Sequence, residues 1–148
     1  MTKAIVEHFA KDDRNHIFLF GGGDTEREIL AQWAKDHDNV VSVAEQRYGF
    51  PAELALQSRL DVMFAMDSAN MHLAALAGTQ VVSVWGATHP VCGFAPWRQP
   101  DDNAIGLDME CRPCSVYGNR PCRFGDLRCL NNINPETIIK KIEQLLYE

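Results

Sequence analysis

No long apolar run occurs in this sequence. Segments such as Val62-Met63-Phe64-Ala65-Met66 and Val81-Val82-Ser83-Val84-Trp85 are typical, against the roughly 18 residues that mark a membrane-spanning helix. An excess of basic charge is also missing. Fourteen Lys and Arg against 20 Asp and Glu leave a net charge of −6, which argues against a broad nucleic-acid or anionic-membrane surface. The start, Met1-Thr2-Lys3-Ala4-Ile5-Val6-Glu7-His8, lacks the apolar core of a secretory signal, so a cytoplasmic location is expected. Glycine and proline, at 10 and 7 residues, do not dominate, so collagen-like and low-complexity readings fail. What remains is a soluble globular composition, 46% hydrophobic and 23% charged over 148 residues. That length suits one domain with a core that needs no disulfides.

Periodicity predicts alternating helices and strands. Helical spacing of Ile5, Val6 and Phe9 runs from Thr2 to about Lys11. Ile17-Phe18-Leu19-Phe20 reads as a buried strand stopped by Gly21-Gly22-Gly23, with Asp24-Thr25 as the N-cap of a helix from Glu26 to Lys35. Val40 to Val43 is a second strand, and Pro51 suits the first turn of a helix through Ser58. Val62–Met66 and Val81–Trp85 are strands flanking a helix from about Asn70 to Ala77, ended by Gly78. Ala104 to Leu107 reads as a fifth strand, 111–134 as a Cys-rich loop without period, and Pro135 as the start of a last helix. The pattern predicts an α/β fold: a Rossmann-like parallel sheet covered by helices on both faces.

The candidate site is Asp67-Ser68-Ala69-Asn70-Met71-His72. A buried strand delivers a carboxylate and a hydroxyl to the carboxyl edge of the sheet, where open α/β folds hold ligands. A helix begins within two residues, so its unpaired N–H groups and positive dipole end face the same place and suit a phosphate. Asp67 or Ser68 serving simply as the helix cap fits the same residues. Cys111-x2-Cys114-x7-Cys122-x6-Cys129 allows reduced thiols, a structural zinc site or disulfides, in that order of preference for a cytosolic chain. Cys92 reads as a packed or loop thiol, and His8, His16, His37 and His89 as surface or loop residues.

The run Asp67-Ser68-x-x-Met71-His72-Leu73-Ala74-Ala75-x-x-Gly78-Thr79-x-Val81-Val82-Ser83-Val84-Trp85-Gly86-x-Thr88 resembles the signature of glycosyltransferase family 9, the ADP-heptose:lipopolysaccharide heptosyltransferases. Phe20-Gly21-Gly22-Gly23-Asp24-Thr25-Glu26 upstream and the Cys111–Glu136 segment downstream extend the likeness. The resemblance implies the C-terminal, donor-binding half of a GT-B fold. It implies that Ser68, Ala69, Asn70 and Met71 contact the donor diphosphate through backbone amides, and that Asp67 and His72 line the sugar-phosphate end. By the same resemblance Glu26 holds ribose hydroxyls, Tyr48-Gly49-Phe50 falls at the base pocket, and Thr88 faces the crevice. Read from the residues alone, His72 suits a core histidine better than a ligand, Glu26 a favourable helix start, and Tyr48 and Phe50 core aromatics as well as a base pocket. The implied ligands are a nucleotide-diphosphate sugar such as ADP-heptose and a glycolipid acceptor met at the inner membrane, without nucleic acid or a cofactor.

Three positions depart from the family pattern. Ala69 stands for Gly, where a β-carbon narrows the approach to phosphate and disfavours positive φ; Gln80 and Ala87 stand for Pro. The resemblance also implies an acceptor domain with a catalytic carboxylate, and a first strand that lies centrally in the sheet, neither of which has a counterpart here. The expectation is a donor-binding fragment with no catalytic residue of its own, inactive alone, its sheet rearranged or completed by strand exchange in a homodimer. Arg112, Arg120, Arg123 and Arg128 form a locally basic run suited to a phosphorylated acceptor. A non-catalytic Rossmann-like binding module is the second reading, and a GT-B-type nucleotide-sugar epimerase fragment the third.

Overall fold

The computed structural model describes residues 1–46 and 48–147. The chain divides into two compact units, Met1–Ala55 and Leu56–Glu148. In the first, helix α1 (Thr2–Phe9) turns Ile5 and Val6 inward. Strand β1 (Ile17–Leu19), helix α2 (Asp24–Lys35) and strand β2 (Val40–Ser42) follow. β1 and β2 pair in parallel, Ile17 opposite Val40 and Leu19 opposite Ser42. Val6, Ala10, Leu19, Leu30 and Val40 form the core, with Ile17, Trp33, Ala34 and Ala44 packed against it. The charged run after α1 is folded over by Asn39, whose side-chain amide donates to the carbonyls of Ala10, Asp12 and Asn15.

The start of α2 differs from the expected Asp24-Thr25 cap. Gly23 takes the N-cap place with extended backbone, and no side-chain cap closes the turn. Asp24 pairs with Arg27 at 3.1 Å instead. Glu26 reaches back to accept the N–H of Gly22, the residue before the N-cap, at 2.9 Å.

Helix α3 (Phe50–Gln57), with Pro51 in its first turn as expected, carries the chain into the second unit. Strand β3 (Val62–Met66), helix α4 (Ala69–Leu76), strand β4 (Gln80–Val84) and strand β5 (Ala104–Ile105) follow. Helices α5 (Arg128–Asn131) and α6 (Pro135–Tyr147) complete the unit. The strands lie parallel in the order β3-β4-β5, with Val62 opposite Gln80 and Ser83 opposite Ala104. Val81, Val82, Ser83 and Val84 are all buried. Neighbouring side chains of a strand point to opposite faces, so the sheet is covered on both sides at β4. α4 and α6 pack against β3 and β4, and α6 buries Ile138, Ile139 and Ile142, each worth about 1.5–3 kcal/mol. Gly78, at φ +91°, ends α4 with a left-handed turn that a β-carbon would strain.

The expected α/β arrangement of parallel strands and flanking helices is present, the strands lying in two parallel ladders, β1-β2 and β3-β4-β5. One expectation changes: β5 stops at Ile105 rather than Leu107, because the Arg112 guanidinium takes the Leu107 carbonyl and lies against Gly106. Further upstream, one side chain does the work of a strand on β4: Gln99 accepts the N–H of Val81 at 2.8 Å and donates to the Thr79 carbonyl at 3.1 Å. Among the described residues no helix is long and apolar enough to cross a membrane.

Candidate functional site

At the end of β3 the Asp67 N–H donates to the Val84 carbonyl at 3.1 Å, prolonging the ladder with β4. Its side chain leaves the sheet and accepts the Thr88 hydroxyl proton, Oγ1 to Oδ2, at 2.7 Å. Thr88 is 8% exposed whereas Asp67 is exposed, so a buried hydroxyl orients an accessible carboxylate. Ser68 occupies the N-cap place of α4 with φ −155° and ψ 169°, yet its hydroxyl makes no capping bond. Neither Asp67 nor Ser68 therefore acts as the side-chain cap that the residues alone allowed. The first-turn N–H groups of Ala69, Asn70 and Met71 are left without a side-chain acceptor, at the positive end of the helix dipole.

Ala69 opens α4 in helical conformation rather than at positive φ. Its β-carbon therefore brings no backbone strain, only volume. Met71 is 0% exposed, so its side chain anchors the helix in the core and only its amide can face a ligand. Asn70 and His72 are half-buried in the same first turns. The Asn70 side-chain oxygen accepts a bond from Gln57 Nε2 at 3.3 Å. Gln57 is itself fully buried, its carbonyl accepting the Thr79 hydroxyl and its Oε1 left without a partner.

Sequence reasoning missed two supports. Gln57 is one, since a polar residue ending a helix of mostly apolar positions carries no signal of its own. Arg112 is the other. Rather than joining a solvated basic run, its guanidinium turns inward and donates to the carbonyls of Trp85, Gly86, Thr88 and Leu107. Arg128 is also engaged, paired with Asp126 at 2.7 Å and lying over the Phe124 ring. Beside Arg112 lies an open cavity of about 580 Å³, lined by Trp85, His89, Asp101, Asp108 and Met109 among others.

Glu26, Tyr48 and Gly49 belong to the first unit, while Asp67 through His72 and Thr88 belong to the second. Glu26 already uses one carboxylate oxygen on Gly22, consistent with its helix-start reading. Tyr48 and Phe50 are 59% and 58% exposed, which removes the core-aromatic reading.

All five cysteines are free thiols, Cys129 alone being buried. Burial and the neighbouring Cys111, Cys129 and Cys122 push the Cys114 thiol up. The backbone N–H groups of Leu127, Phe124, Gly125 and Asp126 hold Cys122 down. Among the described residues no group of three or more His, Cys, Asp or Glu side chains is arranged to hold a metal ion.

Parallel strands, a helix start free of side-chain caps and a carboxylate at the sheet's carboxyl edge put the second unit among open α/β folds, a class that holds its ligands at that edge. The family is more particular: the model of glycosyltransferase family 9 (heptosyltransferase) matches residues 4–123, and the chain belongs to that family. Lipooligosaccharide heptosyltransferase 2 of Campylobacter jejuni subsp. jejuni serotype O:2 (strain ATCC 700819 / NCTC 11168) is 25% identical over 149 residues, covering 95% of this chain and 46% of the relative. Its counterpart in serotype O:6 (strain 81116 / NCTC 11828) is 23% identical over 148 residues with the same coverage. The chain thus spans about half the length of these relatives. No solved structure matches it.

Proposed function

We propose that the second unit binds the donor of a heptosyltransferase, a nucleotide-diphosphate heptose such as ADP-heptose, and that the whole protein transfers the sugar to a lipooligosaccharide-type acceptor at the inner membrane. The observation that carries this reading is the first turn of α4, without a side-chain cap beside the Thr88-oriented carboxylate of Asp67. Diphosphate oxygens would accept the free N–H groups, and the same fixed dipoles would stabilise the charge that grows on the nucleotide diphosphate as the sugar leaves. A carboxylate beside phosphate repels it but accepts hydroxyl protons well, so Asp67 serves a sugar or ribose hydroxyl. Inverting transfer also needs a base to deprotonate the acceptor hydroxyl, and this reading gives that role to no residue of the chain. It binds donor and does not turn over alone.

Calorimetry with ADP and ADP-heptose tests the reading. Binding at micromolar to millimolar ligand is expected, weakened about tenfold in Asp67→Ala, the loss for one hydrogen bond to a charged group. No heat at millimolar ligand, or an affinity that Asp67→Ala leaves unchanged, overturns it.

A further inference from the structure

We propose that Arg112 is a positioning residue of the donor site, and that the segment Arg112-Pro113-Cys114 is a template on which the loop leaving β4 is moulded. The inference rests on the donor reading above and adds how the site keeps its shape. The carbonyls of residues 85 to 88 all receive donors from two residues of that segment. Arg112 Nη2 donates to Trp85 at 2.9 Å and to Thr88 at 3.1 Å, its Nε to Gly86, and the Cys114 N–H to Ala87 at 2.7 Å. Nη1 reaches across to the Leu107 carbonyl beyond β5. One planar fork therefore ties the exits of two adjacent strands together.

Only a guanidinium can do this. It offers five N–H donors in fixed directions, whereas a lysine ammonium offers three on a flexible stem. The fit is close on the far side too. A β-carbon at Gly106 would lie 2.6 Å from Arg112 Nη2, so the absence of a side chain there makes room for the fork. The chemical consequence falls on Thr88. With its carbonyl held by Arg112, its Oγ1 is presented to Asp67. The chain of influence runs from the guanidinium through the Thr88 backbone and hydroxyl to the carboxylate. Arg112 itself touches no donor atom. The inward turn of Arg112 also explains why a basic residue stands between Cys111 and Cys114 without contributing to a surface patch.

The test is a double-mutant cycle read by ADP affinity, with thermal melting recorded for each variant. Thr88→Val alone and Arg112→Lys alone should each weaken ADP binding about fivefold. The double variant should bind no more weakly than Thr88→Val, because the arginine acts through the residue already changed. Losses that multiply, or an Arg112→Lys protein that binds as the parent does, overturn the proposal. If Arg112→Lys does not fold, Gly106→Ala presses on the guanidinium from just beyond β5 and should give the same loss. A ligand-independent readout is the Thr88 χ1 angle from three-bond scalar couplings, single in the parent and averaged in Arg112→Lys. Parent protein that fails to bind ADP defeats the donor reading. A Thr88 rotamer still fixed in Arg112→Lys defeats the positioning role.

Discussion

Replacing Gly86 by alanine should destabilise the second unit through a single side chain, Leu130. The added β-carbon would lie 2.5 Å from Leu130 Cγ, 2.6 Å from Cδ2 and 2.9 Å from Cδ1. Carbon atoms rest about 3.5–4.0 Å apart, so the leucine must retreat by roughly 1 Å. It cannot swing freely, because it sits on the one-turn helix α5 next to buried Cys129. Overpacking of this kind costs about 1–3 kcal/mol. A central value of about 2 kcal/mol lowers the melting temperature of a chain this size by about 6 °C. Leu130→Ala alone should cost up to about 2 kcal/mol, since the residue is only half-buried. The informative protein is Gly86→Ala combined with Leu130→Ala. It should melt no lower than Leu130→Ala alone, the methyl group now filling space that the leucine left. Thermal melting followed by circular dichroism measures all three. Additive losses, or a Gly86→Ala protein melting within about 1 °C of the parent, would refute the reasoning.

The thiols should differ in reactivity, since the thiolate is the nucleophile. At neutral pH, iodoacetamide followed by peptide mass spectrometry should find Cys122, held down by backbone N–H donors, modified faster than Cys114, pushed up by burial. The gap should narrow as pH rises past the ordinary thiol value; equal rates at neutral pH would contradict this. Gln57→Met keeps the buried volume and removes an unpartnered oxygen, so stability should change by less than about 1 kcal/mol. ADP affinity should fall about threefold as Asn70 loses its donor, measured by calorimetry, and no change would mean that Asn70 needs no holding.

The elements were legible where local pattern and burial agree. The short apolar runs became β1 to β4, and Pro51 and Pro135 marked helix starts because a fixed φ and a missing N–H suit a first turn. Asp67 and Thr88, 21 residues apart, were expected at one crevice and are joined by a hydrogen bond. What stayed hidden depends on contacts that have no period. α5 is one turn, too short to repeat anything. β5 is cut short by a guanidinium that comes from outside the strand. Arg112 reads as surface charge until its distant carbonyl partners are seen, and Gln57 as an ordinary helix residue until Asn70 is found beside it. Even the cap of α2 was misplaced by one residue, since glycine with extended backbone served as well as Asp24 and freed the acid for Arg27.

The Gln99 side chain has a consequence for how this protein keeps company. A primary amide carries the donor and acceptor of a peptide group, so Gln99 occupies the stretch of β4 that two-residue β5 leaves uncovered. An open strand edge is an invitation to another chain. Replacing this one residue by glutamate would keep an acceptor for Val81 but leave the Thr79 carbonyl without its donor, exposing the edge to other strands. A change of one amide to a carboxylate would then show itself first as self-association, with the core still intact.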